Sequence, residues 1–210
     1  MQIRIFIINV FFIFTTLIVK AQTKIPLDEA LVLKENIIKK SKSTITIIND
    51  FTQYTHLSFL SKDIISKGKL VFKSPNLIKW EYVKPYKNSV ILKKNKLYVN
   101  DDGTKSEIDL SSNKTFKEMN SLLLKSVKGN MFDDEKFEIA FFKKVENYMV
   151  SFIPLDKSMK SFINKFELTF NSNSFNVIEI KMIELSEDYT TIKFSNTKIN
   201  EPVANEVFEN

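Results

Sequence analysis

His56 is the single histidine of this 210-residue chain, and cysteine is absent. One imidazole and no thiol exclude cysteine nucleophiles, disulfide frameworks and every Cys/His zinc pattern. Paired carboxylates are one remaining route to general acid–base chemistry, and they would have to be held within reach of one substrate. Asp101-Asp102 and Asp133-Asp134-Glu135 sit beside turn-forming residues, where solvated loops are expected. Asp63 and Glu81 lie in different segments, and nothing in their spacing brings them together. A lone histidine without a second ligand reads as structural or exposed. The three glycines, Gly68, Gly103 and Gly129, compare with roughly fifteen at average usage. They are too far apart for a dinucleotide fingerprint, a P-loop or a nucleophile elbow. The sequence therefore predicts no catalytic constellation, no metal site and no cofactor.

The more informative residues are apolar. Leu70, Phe72, Ile78, Trp80, Tyr82, Phe141 and Phe152 recur at alternate positions within short runs. Such alternation places them on one face of a sheet. If that sheet is long enough to curl, its concave side must be filled by side chains and helices or by a ligand.

The elements that would carry this face follow from periodicity. Pro26 to about Lys42 reads as a helix with Leu27, Ala30, Leu31 and Ile38 on one face. From Thr44 the period changes to two, with Ile45, Ile47 and Phe51 in the first strand. Pro75 and Pro85 bracket a strand of about eight residues. Hairpins are expected at Lys94-Asn95-Lys96 and at Asp102-Gly103. Thr115 and Glu118 form a capping box for a mid-chain helix carrying Phe116, Met119, Leu123 and Val127 on one face. Strands resume from Phe137, with a turn at Asn147, one helical turn within 156–161, and Phe166, Leu168 and Phe170 opposite Ile178, Ile180 and Met182. The fold class is α+β, mainly β: about ten to eleven antiparallel strands with two or three helices.

Residues 1–21 read as a secretory signal peptide. Arg4 starts it, Ile5 to Val19 is its apolar stretch, and Val19-Lys20-Ala21 precedes the cleavage point. The apolar stretch is short for a transmembrane span. Residues 22–210 then form one domain, exported and not lipid-anchored at Gln22. The net charge of +6 is mild and spread along the strands, so a solvated face is expected rather than nucleic-acid binding.

The run from Gly68 to Tyr86, GKLVFKSPNLIKWEYVKPY, resembles the signature of the LolA family of periplasmic lipoprotein carriers. Phe51-Thr52-Gln53 is similar to that family's first-strand Phe-x-Gln element. The segment from Asp188 to Asn196, and Asn200 with 202–208, resemble its last strand and closing segment. The resemblance implies an open half-barrel whose concave face is plugged by helices. It also implies a monomer that holds the acyl chains of a lipoprotein and carries it across the periplasm. An inner-membrane releasing ABC transporter and an outer-membrane acceptor would be its partners. Leu70, Phe72, Ile78, Trp80, Tyr82, Phe116, Met119, Leu123, Phe141 and Phe152 would line the lipid cavity. Proteobacterial carriers have an arginine that closes the lid just before the first of the two prolines; here that latch position is Ser74, whose hydroxyl offers one donor. Two alternatives stay open: a paralogue for another lipid or lipid-like pigment precursor, and a lipid-sensing regulatory module.

Overall fold

The structure, a computed structural model, describes residues 22–110 and 131–209. The expected signal peptide and the helix carrying Phe116, Met119, Leu123 and Val127 lie outside the described residues. The chain runs β1 (Thr23–Lys24), α1 (Leu27–Lys42), β2 (Thr46–His56), β3 (Ile64–Lys73), β4 (Leu77–Lys84), β5 (Asn88–Lys93), β6 (Lys96–Asp101) and β7 (Thr104–Asp109). It continues with β8 (Phe137–Lys144), β9 (Asn147–Pro154), α2 (Lys157–Lys160), β10 (Ile163–Asn171), β11 (Val177–Glu184), β12 (Tyr189–Ile199) and a 3-10 turn (Asn205–Phe208). The described strands form one antiparallel sheet in the order β1-β8-β9-β10-β11-β12-β2-β3-β4-β5-β6-β7. Its two end strands do not meet, so the sheet is open. Twelve strands exceed the expected ten or eleven by the two-residue β1, too short to leave a periodic signal.

Alternation fixes which side chains face inward. Phe72 pairs with Ile78, Leu70 with Trp80, and Ile78 with Leu92. These residues belong to a cluster with Phe51 and Leu110. At the other end of the sheet, Val150, Phe152, Leu168 and Phe170 pack under Ala30, Leu33 and Ile37 of α1. The helix thus buries the inner face of β9 and β10. Asp28 and Glu29 in its first turn and Lys39, Lys40 and Lys42 in its last suit the helix dipole.

The helix face differs from the expected one. Leu27 is 76% exposed and Leu31 53%, while the buried stripe is Ala30, Leu33 and Ile37. Leu31 lies about 100° around the helix from Ala30, and the sheet selects Ala30's side. The first strand also starts later: Ile45 is exposed and precedes β2, because Thr44-Ile45 belongs to the connection held by Asn200. The Asn200 Oδ1 accepts from Ile45 N at 2.7 Å, and its Nδ2 donates to Ser43 O at 3.0 Å.

The hairpins at Lys94-Asn95 and Asp102-Gly103 form, all four residues having positive φ, as tight two-residue turns require. The β8–β9 turn falls at Val145-Glu146 rather than Asn147, which opens β9 opposite Lys144. An irregularity in β10 moves Phe170 opposite Val177, while Phe166 and Leu168 face Met182 and Ile180. The expected helical turn in 156–161 is α2, capped by Asp156 Oδ1, which accepts from Ser158 N and Met159 N. Lys73 Nζ donates to Val203 O and Asn205 Oδ1, docking the closing segment.

Candidate functional site

The inner face carries two separate apolar clusters, and a cavity of about 70 Å³ lies where they fail to merge. Ile37 and Phe170 come to it from the α1 side; Leu70, Phe72, Ile78 and Trp80 come from β3 and β4. Ile180 and Phe194 form the wall between them. Lys40, Ser41, Thr44, Asn176 and Thr197 also border the cavity. They come from the end of α1, the turn before β11 and the end of β12, so polar groups collect at that end of the sheet.

Below this cavity, the residues that carried the family resemblance form one contact unit. Phe51 pairs with Gly68, and Gly68 with Tyr82. With no side chain on Gly68, the Phe51 ring reaches across β3. It meets Trp80 at 4.7 Å between centroids and Tyr82 edge-on at 5.2 Å. The Tyr82 hydroxyl donates to Gln53 Oε1 at 2.9 Å. Burial pushes the Tyr82 pKa up, and a hydrogen bond with the Trp80 side chain acts in the other direction. The spacing of Phe51, Gln53, Gly68, Trp80 and Tyr82 therefore records a packing unit that shapes the cavity wall.

Of the expected cavity residues, Leu70, Phe72, Ile78 and Trp80 line the space. Tyr82 packs beside it against the same cluster. Phe141 and Phe152 belong to the α1 cluster, both against Phe132. Phe116, Met119 and Leu123 lie outside the described residues. Ser74 is exposed in the β3–β4 turn, and its backbone N–H donates to Ile45 O at 2.8 Å.

One polar residue of the lining carries no earlier expectation. Asn49 lines the cavity at 4% exposure, and among the described residues its Oδ1 has no hydrogen-bond partner. A polar residue at an inward position, between Ile47 and Phe51, was the available signal.

The single histidine is paired. His56 Nδ1–H donates to Asp63 Oδ1 at 2.9 Å, and the ring stacks on Tyr189 at 4.6 Å. Asp188 Oδ1 accepts from Ser58 N at 2.7 Å, which holds its carboxyl below the usual range. These groups join β2, the β2–β3 loop and β12. Glu81 faces Lys79 at 3.7 Å rather than Asp63. Among the described residues, no group of three or more His, Asp or Glu is placed to hold a metal ion. No described helix is long and apolar enough to cross a membrane.

The architecture is an open antiparallel sheet with a helix on its inner face and an apolar-lined cavity between them. The family described as "Outer membrane lipoprotein carrier protein LolA" matches residues 42–210, and the chain belongs to that family. A comparison with curated proteins by sequence finds no match. Among solved structures, an uncharacterized conserved protein from Thermus thermophilus shares 6% identity at a TM-score of 0.55, covering 86% of this chain and 92% of that one. The Mycobacterium tuberculosis lipoprotein LppX shares 11% at a TM-score of 0.50, covering 85% and 99%. The Pseudomonas aeruginosa MucA/MucB complex matches at 8% and 0.51, covering 87% of this chain and 61% of the other. At these identities the likeness is one of fold.

Proposed function

We propose that the protein is an exported periplasmic carrier that shelters the acyl chains of a lipoprotein, or of a related lipid, on its way to the outer membrane. The carrying observation is the apolar cavity between α1 and β2–β4, in a chain of the LolA family. Each methylene removed from water contributes about 0.8 kcal/mol, so a chain of many methylenes needs such a shelter in an aqueous compartment. The cavity volume of about 70 Å³ is below the roughly 300–1,000 Å³ of ordinary ligand pockets. Loading therefore requires the two clusters to part. Ser74, in the β3–β4 turn, is the proposed latch position. An inner-membrane transporter that releases the cargo and an outer-membrane acceptor are the proposed partners.

Mass spectrometry of lipids that co-purify with the native protein tests this reading. Acylated species in stoichiometric amount are expected. Protein that is lipid-free, and that also takes up no stearic acid by calorimetry, would overturn it.

A further inference from the structure

Away from α1, the exposed large apolar side chains gather on one rim of the sheet. Antiparallel strands turn alternately at two rims, and the connections β9–β10, β11–β12, β2–β3 and β4–β5 all fall at the same one. Each of the four carries a large apolar residue in water. Phe162 and Leu185 are each 59% exposed, Phe59 77% and Tyr86 80%. Leu155 and Leu60 add a second such residue to two of these loops. At the connections of the opposite rim, the large apolar residues exposed among the described ones are Ile45 and Val145.

Exposed lysines accompany these tips. Lys157 and Lys160 stand between Leu155 and Phe162, Lys62 follows Leu60, and Lys84 and Lys87 flank Tyr86. Three carboxylates of the same loops are engaged by the protein itself: Asp156 caps α2, Asp63 pairs with His56, and Asp188 accepts from Ser58 N. The acidic runs lie at the two ends of the rim, Asp101-Asp102 where β6 meets β7 and Asp133-Asp134-Glu135 before β8. Neighbouring loops are two strands apart, roughly 10 Å, so apolar tips alternate with ammonium groups along the middle of the rim.

Soluble proteins keep large apolar side chains out of such prominent positions unless they meet a partner. We propose that this rim docks the protein on the surface of a bilayer containing anionic phospholipid. Phe59, Phe162 and Leu185 enter the boundary between headgroups and acyl chains, and the lysine ammonium groups meet the lipid phosphates. A fluid surface accepts separate tips without a matching rigid relief, and the net charge of +6 favours approach to an anionic one. The inference goes beyond the carrier reading and does not rest on it.

Flotation of the processed chain, as purified after export, with equimolar phosphatidylethanolamine–phosphatidylglycerol vesicles tests this. The native chain should float with the vesicles, and added salt should weaken the association. Phe59→Ser combined with Phe162→Ser should lower vesicle affinity about tenfold or more, with the urea midpoint unchanged because both sites are exposed. Lys62→Gln with Lys157→Gln should reduce the salt dependence. Leu31→Ser, at an exposed site of α1, should leave the affinity as it is. A native chain that does not float would overturn the proposal, as would a Phe59/Phe162 variant that floats as well as the native chain. A second copy seated on the rim would overturn it too, read as a native dimer that does not float and that Phe59→Ser dissolves. Stearic acid uptake is measured separately, so each reading can fail without the other.

Discussion

The Phe51 ring lies over Gly68, its partner across β2 and β3, so closely that a Cβ on Gly68 would fall 2.6 Å from Phe51 Cζ. The same Cβ would meet the Glu81 carbonyl oxygen at 2.0 Å, where the β3–β4 pairing is irregular. Backbone on one side and a buried ring on the other leave nowhere for a methyl group to go. Gly68→Ala should lower unfolding stability by about 1–3 kcal/mol, the usual cost of overpacking. Urea denaturation measures this, and a midpoint equal to the native one would show that the ring and strand move aside freely.

Trp80 is the chain's single tryptophan and lines the cavity. Its fluorescence should change when stearic acid is titrated in, because the guest alters the polarity around the indole. A flat emission spectrum at saturation, with binding established by calorimetry, would place the guest elsewhere on the sheet.

Asn200 holds the α1–β2 connection through Ile45 N and Ser43 O, and does so at φ 60°. Asn200→Ala removes these bonds and the longer one from Thr46 N at 3.4 Å, about 0.5–1.5 kcal/mol for each well-formed bond, and strains the backbone by about 1–2 kcal/mol. Asn200→Gly removes the bonds but tolerates the conformation. The alanine variant should therefore be the less stable by about 1 kcal/mol in thermal or chemical unfolding. Equal losses would mean that the conformation carries no cost here.

The Asp188 carboxyl is held below its ordinary value of 3.8 by the Ser58 amide. A depressed folded value means that the interaction is fully present above pH ~4 and is lost as pH falls through the folded pKa. The Ser58 amide resonance should titrate with a midpoint below 3.8, and in Asp188→Ala that transition should vanish. A midpoint at or above 3.8 would refute the assignment.

Much of the fold was legible because alternation and turn chemistry are local. The Pro75–Pro85 strand, the two glycine- and asparagine-bearing hairpins and the Phe166–Met182 pairing needed no tertiary information. The helix face was not legible. Leu27 and Leu31 fit a helical stripe as well as Leu33 and Ile37 do, and only the sheet decides between them. At the site, the apolar wall was readable from parity at Leu70, Phe72, Ile78 and Trp80. Asn49 is not legible in the same way, because an asparagine in a strand reads only as a weak residue for that strand. Its meaning depends on what surrounds it. The His56–Asp63 pair lies across a loop, a separation that no local period encodes.

The sheet's failure to close has a consequence for the chain among its own copies. An open sheet ends in unpaired N–H and C=O groups, a template on which another strand can grow. Among the described residues, that template at one end is β7, exposed along its length and carrying Lys105, Glu107 and Asp109. At the other it is β1, two residues long and ending in Lys24, laid on Lys143 and Phe142 of β8. Charge on one flank and brevity on the other make strand addition by a second molecule unfavourable. Crowded chains can thus keep a gap in the barrel without polymerising through it.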